Sequence, residues 1–335
     1  MTIRWAVVAT GGMARAMVED FHLISDAEIK VIVSRTQARA DEAAREWNVA
    51  EGSSDYDSVL KRPDVDAVYI ATPHVFHFEQ SRRALEAGKH VLVEKPITMN
   101  ANEARELQNI AKASGKFLME AMWMVFSPAI VEALRLAKSG ALGKVTFVEA
   151  NFGVAFDFDR SKAATNRLWN RKLGGGTLLD QGIYPISLAH ELFGKPIESH
   201  VRGDIGETDI DVEAAMVLEF AGGERAALSS SMRNHTPLNA SISGDKGFIE
   251  IESPFWAPPA IRKLTRDPKT QRILTDEREE FIKEGNGYVP MLREVHRAIK
   301  SGATEHPMRT LDQSISVMEN IDGLLADIRR TNGKP

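Results

Sequence analysis

The stretch LVEKPIT, residues 92–98, places a glutamate and a lysine, Glu94 and Lys95, directly behind an apolar run and ends the run with Pro96. A lysine held there and partly desolvated is able to orient a hydroxyl and to lower the pKa of a neighbouring acid or base. A second group of this kind lies in GGGTLLDQGIYPISLAHELFG, residues 174–194. Three glycines allow close backbone approach there, and Asp180 and Tyr184 follow at i and i+4, on one face of an expected helix otherwise lined by Leu178, Leu179, Ile183, Ile186 and Leu188. An ammonium, a carboxylate and a phenol are the parts needed to take a hydroxyl proton while hydride leaves carbon. Tyr184 does this if its phenol, ordinarily near about pKa 10, is lowered by the Lys95 cation. Asp180 then binds a substrate hydroxyl or orients the lysine, and spacing does not choose which group finally holds the proton. Taken singly, these residues have commoner fates: an ion pair at a sheet end, and a core tyrosine with a satisfied hydroxyl.

Two kinds of scaffold must position these groups. From residue 4 to about 122, apolar runs alternate with stretches of helical period: RWAVVAT, then 13–24; IKVIVS, then 36–47; DAVYIAT, then 76–87; HVLVEK, then 101–114; and FLMEAM. The runs are continuously apolar, as in parallel strands covered on both faces, so the first domain, 1–122, reads as a doubly wound (Rossmann) α/β sheet. After a helix at about 127–138, strands follow one another with little helix between: KVTFVEANFG, ESHVRGDI, EAAMVLEF, ERAALSSSM, NASISG and GFIEIE. That pattern predicts an open, mainly antiparallel sheet in a second domain, 123–335, with helices at about 178–193, 287–300 and 311–330 covering one face, hence α+β. Two domains also suit a chain of 335 residues.

In a parallel sheet, ligands lie beyond the carboxyl ends of the strands. ATGGMA, comprising Ala9, Thr10, Gly11, Gly12, Met13 and Ala14, occupies the first strand-to-helix turn, where a dinucleotide fingerprint G-x-G-x-x-G/A belongs. Gly11 would let the backbone approach a pyrophosphate at the helix N-terminus, Ala14 is an accepted third residue, and Ala9 departs at the first. The first turn of that helix carries Arg15 and no acid. Alone this motif is weak, and a tight turn without a ligand is an equal reading. At the end of the second strand, where a ribose-binding carboxylate marks NAD, stand Ser34, Arg35 and Thr36, with Arg39 a turn later. A guanidinium beside two hydroxyls suits a 2′-phosphate, so the reading favours NADP over NAD. Solvated arginines at a helix start are the plainer account. The third strand ends at Ala71, Thr72 and Pro73, with His74 and His77 following, and would flank the cofactor; Glu94 and Lys95 would point into the same crevice. His74 and His77 have no cysteine or acidic cluster nearby to complete a metal site, so no metal is expected.

Apolar residues make up 43% and charged residues 27%, which argues against disorder, and a net charge of -5 gives no basic footprint for nucleic acid. The absence of cysteine removes disulfides, thiolate metal sites and a cysteine nucleophile, and fits a reducing compartment. The N-terminal apolar run is too short for a membrane span and lacks a signal-peptide pattern, so the cytoplasm is the expected address, with no membrane partner.

In combination, ATGGMA, ATPHVFH, the EKP at 94–96 and GGGTLLDQGIYP resemble the Gfo/Idh/MocA oxidoreductases over nearly the whole chain. EKPITMNANEARELQNIAKASGKFLMEAMW and GGGTLLDQGIYP look most like the dihydrodiol dehydrogenase, xylose dehydrogenase and glucose-fructose oxidoreductase branch. The resemblance implies NADP, a catalytic lysine at Lys95, an acid/base tyrosine at Tyr184 and a substrate-contacting aspartate at Asp180. It implies cofactor contacts at the first turn, at Ser34 and Arg35, from Thr72 to His77, at Glu94, and at Arg167 and Trp169 in NRLWNRKLGGG. It implies a homodimer or homotetramer through the open face of the second sheet, with Trp256 at that rim or at the substrate mouth. Ala9 and Val125, the latter where relatives often carry arginine, depart from the family pattern. The expected activity is hydride transfer between nicotinamide C4 and a sugar, anhydrosugar or cyclic trans-diol. A non-catalytic NADP-binding sensor and an NAD-assisted glycoside hydrolase are alternatives on the same fold.

Overall fold

Continuously apolar runs can satisfy their backbones and bury both faces only inside a helix-covered sheet. The computed structural model, which describes residues 2–334, has such a sheet in the first part of the chain. β1 (Ile3–Val8) leads to α1 (Gly12–Phe21), then β2 (Ala27–Val33), α2 (Gln37–Glu46), β3 (Gly52–Ser53), α3 (Tyr56–Leu60), β4 (Ala67–Ile70), α4 (His77–Glu86), β5 (His90–Val93), α5 (Ala101–Ser114) and β6 (Leu118–Glu120). The strands lie in the order β3-β2-β1-β4-β5-β6, all parallel. Order reverses at β1, flanked by β2 and β4, so the ends of these strands form the switch point at which such sheets bind ligands. Trp5, Val7, Ile32, Val68, Tyr69 and Leu92 form its buried centre. The segment after Lys95 is tied into α5 by a reciprocal cap. Asn100 Oδ1 accepts from the Glu103 N–H at 3.0 Å, and Glu103 Oε2 accepts from the Met99 N–H at 3.1 Å. Gly115, at φ 62, ends the helix.

The second part begins with α6 (Pro128–Lys138) and β7 (Val145–Gly153). A π-turn at Leu178–Gly182 then leads into α7 (Ile183–Phe193). β8 (Glu198–Ile205), β9 (Asp211–Glu219), β10 (Arg225–Ser231), β11 (Ala240–Gly244), β12 (Gly247–Ile251), β13 (Ala260–Arg266) and β14 (Ile273–Glu280) follow. The order is β14-β13-β12-β11-β7-β10-β9-β8, antiparallel throughout except for the parallel pair β7 and β10. The sequence pattern shows six of these eight strands. β13 and β14 escape it because β14 is almost wholly exposed and the pair is bound by charge rather than by an apolar face. Arg262 pairs with Asp276 and Lys263 with Glu277 across the strands, both at 2.6 Å.

Two helices close the chain, α8 (Val289–Lys300) and α9 (Leu311–Thr331). The expected domain division at 122 takes a different form. One compact unit comprises the chain up to Trp123 together with Lys283–Ile315, and the other comprises Met124–Ile282 together with the chain from Ser316. α8, expected on the second sheet, therefore packs with the first unit. Its amphipathic pattern requires a partner without naming one; buried polar contacts select it. Asp20, fully buried, accepts from the N–H groups of Asn286 at 2.7 Å and Tyr288 at 2.8 Å. Trp5 Nε1 donates to His296 Nε2 at 3.0 Å, which leaves His296 Nδ1 to donate to Asp26 at 3.0 Å.

His90 yields a pH prediction. Its Nδ1 accepts from the Phe117 N–H at 3.0 Å, a role open only to the neutral ring. Burial, with Lys116 adding to it, pulls its pKa down to about 4. The folded value lies below the unfolded value of about 6.5, so the fold binds fewer protons and loses stability as pH falls through that window. NMR titration should give His90 a midpoint near 4, and thermal stability should decline from neutral pH toward it; a midpoint near about 6.5 would refute the acceptor role.

Candidate active site

In the first unit the site is built at the strand ends. The β1 turn holds Ala9 at φ 146, a backbone region that glycine alone adopts readily. Gly11 caps α1 without a side-chain hydrogen bond, and the first turn of the helix carries no acid. A Cβ built on Gly11 or Gly12 would meet no atom within 4 Å, so the turn offers backbone N–H groups in an open cradle, as an approaching pyrophosphate requires. Thr10 Oγ1 stands 3.4 Å from Ser34 Oγ, which brings the turn and the end of β2 together, and Arg35, Thr36 and Arg39 are exposed beside them. Met13 is exposed as well, and its sulfur accepts from the Tyr288 hydroxyl at 3.8 Å. The residues present fit a phosphate-bearing dinucleotide.

At the end of β4, Ala71, Thr72 and Pro73 are half-buried, and Thr72 Oγ1 donates to Gln80 Oε1 at 2.6 Å. His74 is nearly buried. His77 differs from expectation: it is fully buried, with Nδ1 2.7 Å from the Pro96 carbonyl and Nε2 2.8 Å from the Thr72 carbonyl. It can reach a cofactor only through the carbonyls that it holds. At the end of β5, Glu94 is buried, accepts from the Tyr69 hydroxyl at 2.6 Å and takes the Lys95 N–H at 3.3 Å. Burial raises its carboxyl pKa, against the pull of Tyr69 and Lys95. Lys95 itself is half-buried.

In the second unit, the expected helix at 178–193 opens with the π-turn, a wider coil that carries Asp180 into the start of α7. Arg167 Nη1 donates to Asp180 Oδ1 at 2.9 Å. Tyr184 is 6% exposed. Its ring lies 5.6 Å from Phe152 and 5.9 Å from Trp256, which stack on each other at 3.8 Å with 2° between their planes. Trp256 thus stands beside Tyr184, whereas nothing in ANFG singled out Phe152. The glycine run has a definite cause at Gly176, which lies at φ 129 with Asp211 so close that a Cβ would come within 2.1 Å of its Oδ1. Asp211 Oδ2 accepts from the Leu178 N–H at 2.6 Å and so fixes the π-turn; burial pushes its carboxyl up to about 7 against its backbone N–H partners. Its only sequence signal is a carboxylate set between Ile210 and Val212. Trp169 is buried against Ala163, Ile210, Val212 and Met232, with Phe158 at 5.0 Å. Among the described residues, no group of three or more His, Cys, Asp or Glu could hold a metal ion.

A glycine-cradled turn on a parallel sheet of this order defines a dinucleotide-binding fold. Residues 3–122 match the model of the oxidoreductase family with an NAD-binding Rossmann fold, and residues 130–250 match the GFO/IDH/MocA C-terminal domain. The chain belongs to the Gfo/Idh/MocA family and is an NAD(P)-dependent dehydrogenase or reductase. It is similar to the trans-1,2-dihydrobenzene-1,2-diol dehydrogenase of Mus musculus, 32% identical over 341 residues that cover 96% of each chain. A 3-ketoreductase from Actinomadura kijaniata in complex with NADP and TDP-benzene is similar in structure, with a TM-score of 0.83 at 25% identity over 97% of this chain and 98% of that one. Levoglucosan dehydrogenase in complex with NADH and levoglucosan shares the fold, with a TM-score of 0.88 at 20% identity over 98% of each chain.

The conformation of Ala9 can be tested by substitution. Strain of this kind costs roughly 1–3 kcal/mol, against about 0.5–1 kcal/mol for the added freedom of an unfolded glycine. Ala9→Gly should therefore stabilise the protein by about 1 kcal/mol in urea unfolding, and a loss of stability would show that the turn is unstrained.

Proposed function

We propose that the protein is an NADP-preferring dehydrogenase or reductase that transfers hydride between nicotinamide C4 and a carbinol carbon of a sugar, anhydrosugar or cyclic trans-diol. Lys95 and Tyr184 take the acid/base roles and Asp180 holds a substrate hydroxyl. The observation that carries this reading is the gathering, at the carboxyl ends of β1, β2, β4 and β5, of the Gly11 turn, Ser34 with Arg35, the Thr72 turn and Lys95. The nicotinamide, when bound, supplies or accepts the hydride. The lysine ammonium favours the charged form of a nearby phenol or alkoxide, and the tyrosine hydroxyl moves the substrate proton. Beside Tyr184, the Phe152 and Trp256 stack offers a flat apolar surface to the C–H face of a ring, while Asp180 and Arg167 offer polar contacts to its hydroxyls. The names of the similar proteins, a dihydrodiol dehydrogenase, a 3-ketoreductase and a levoglucosan dehydrogenase, support a substrate of this class.

The preference for NADP rests on Arg35 and the hydroxyls of Ser34 and Thr36, with no carboxylate at the end of β2. The open face of the eight-stranded sheet has a concavity of about 1260 Å³ lined by Glu149, Asn151, His200, Arg202, Ser229 and Glu250, among others, and is the surface through which we expect two copies to pair. We place the protein in the cytoplasm on the grounds of its sequence. Among the described residues, no helix is long and apolar enough to cross a membrane.

Lys95→Met should lower kcat by roughly 10²–10⁴-fold while the Kd for NADP, read by fluorescence, stays within a few-fold; unchanged turnover would remove Lys95 from the chemistry. Arg35→Ala should raise the KM for NADP by about 10–100-fold, the worth of one charge-assisted contact, and leave that for NAD nearly unchanged. Equal effects on the two cofactors would end the assignment of NADP.

A further inference from the structure

The peptide group that joins Pro96 to Ile97 lies one residue beyond Lys95, and two buried side chains hold it from opposite sides. His77 Nδ1 lies 2.7 Å from its carbonyl oxygen, and its N–H donates to Glu120 Oε1 at 3.0 Å. Each gripping residue is anchored in turn. His77 Nε2 lies 2.8 Å from the Thr72 carbonyl; the imidazole bridges the ends of β4 and β5 with two hydrogen bonds only when both nitrogens carry a proton, a form that burial disfavours and that the two carbonyls and Glu120 favour. Glu120 Oε2 accepts from Arg309 Nε at 3.0 Å and Nη2 at 2.6 Å, and from Ser314 Oγ at 2.8 Å. Glu120 is 1% exposed and His77 and Arg309 are 0% exposed, and all belong to the first unit.

A desolvated ion pair is a poor means of stabilising a fold, because well-packed apolar residues of the same volume often do as well or better. What it does supply is direction. A carboxylate with both oxygens occupied can receive the Ile97 N–H in one orientation only. The segment between Glu94 and α5 is thus pinned at Lys95 N–H, at the Pro96–Ile97 peptide and at Met99 N–H.

We infer that His77 and the Glu120–Arg309 pair are positioning residues for Lys95, which they hold in one geometry at the carboxyl end of β5 by clamping the peptide that follows it. The inference rests on the acid/base role of Lys95 proposed above. The clamp acts through Nδ1 of His77, whereas Nε2 serves the Thr72 turn, and these two functions can be separated. Asn at 77 places its amide near the position of Nδ1 and keeps a donor toward the Pro96 carbonyl. Gln reaches toward the position of Nε2 and keeps a donor toward the Thr72 carbonyl.

Steady-state kinetics of His77→Asn and His77→Gln, each alone and combined with Lys95→Met, test the inference. His77→Gln should lower kcat by at least about 30-fold, with the Kd for NADP within about 3-fold of the parent; His77→Asn should keep kcat within about 5-fold; and neither should lower kcat further once Lys95 is Met. Equal losses in the two single variants, or additive losses with Lys95→Met, would overturn the clamp. The pH dependence of Lys95 acylation, followed by peptide mass spectrometry, reports on the clamp even if Lys95→Met turns over normally and the acid/base reading fails. Its midpoint should shift in His77→Gln and in Glu120→Gln but not in His77→Asn. A midpoint unmoved in both Gln variants would overturn the proposal, and if the His77 variants do not fold, Glu120→Gln alone decides it.

Discussion

A backbone N–H or carbonyl that leaves a strand or helix inside a core must find another partner, because leaving it bare costs as much as a lost hydrogen bond. This chain meets that demand with buried ionisable side chains. Asp20 receives the N–H groups ahead of α8, Lys89 Nζ donates to the carbonyls of Arg62 at 2.7 Å and Val65 at 2.8 Å, His90 accepts from Phe117, and Asp211 accepts from Leu178. His77 and Glu120 share one peptide. In every case the side chain lies within the unit whose backbone it serves, so each half of the molecule fixes its own loops.

Burial also shifts several of these groups, lowering the pKa of His77, Lys89 and His90 and raising that of Asp211. For Glu94, desolvation outweighs both the Tyr69 hydroxyl and the adjacent lysine, so its pKa rises. Asp211 follows the same rule beneath the π-turn, where its shift reflects exclusion of water and its geometry fixes Asp180.

What could be read from the sequence follows from which physical signals are local. β1, β2, β4, β5 and β6 were legible because continuous apolar runs and helical periods lie within a few residues of each other, whereas the two-residue β3 carries no such run; Asp180 and Tyr184 were legible because their spacing is a property of one segment. β13 and β14 were not, since their cross-strand ion pairs replace apolar alternation. α8 announced an apolar face but not the surface that would cover it. Glu120 and Arg309 stand 189 positions apart, and nothing in FLMEAM or HPMRT indicates that they meet. Phe152 becomes part of the site only through Trp256, brought to it by the second sheet. His77 and Trp169 were placed near a cofactor by their motifs, and proximity in a motif gives no measure of exposure; both prove to be interior.

Hydrogen bonds tie the β1 turn to the end of β2 and to β3. Ala9 keeps its φ of 146 although a glycine would relieve it, and its N–H donates to the Val33 carbonyl at 3.1 Å. Thr10 then meets Ser34, whose own N–H donates to Ser53 in β3 at 3.0 Å. The pyrophosphate turn is thereby coupled to the residues that would read the ribose. Similar folds are seen with NADP and with NADH, so the architecture alone does not select between them. In this fold the end of the second strand is the part that meets the ribose. Here the end of β2 presents the hydroxyls of Ser34 and Thr36 and the exposed guanidiniums of Arg35 and Arg39, with no carboxylate among them.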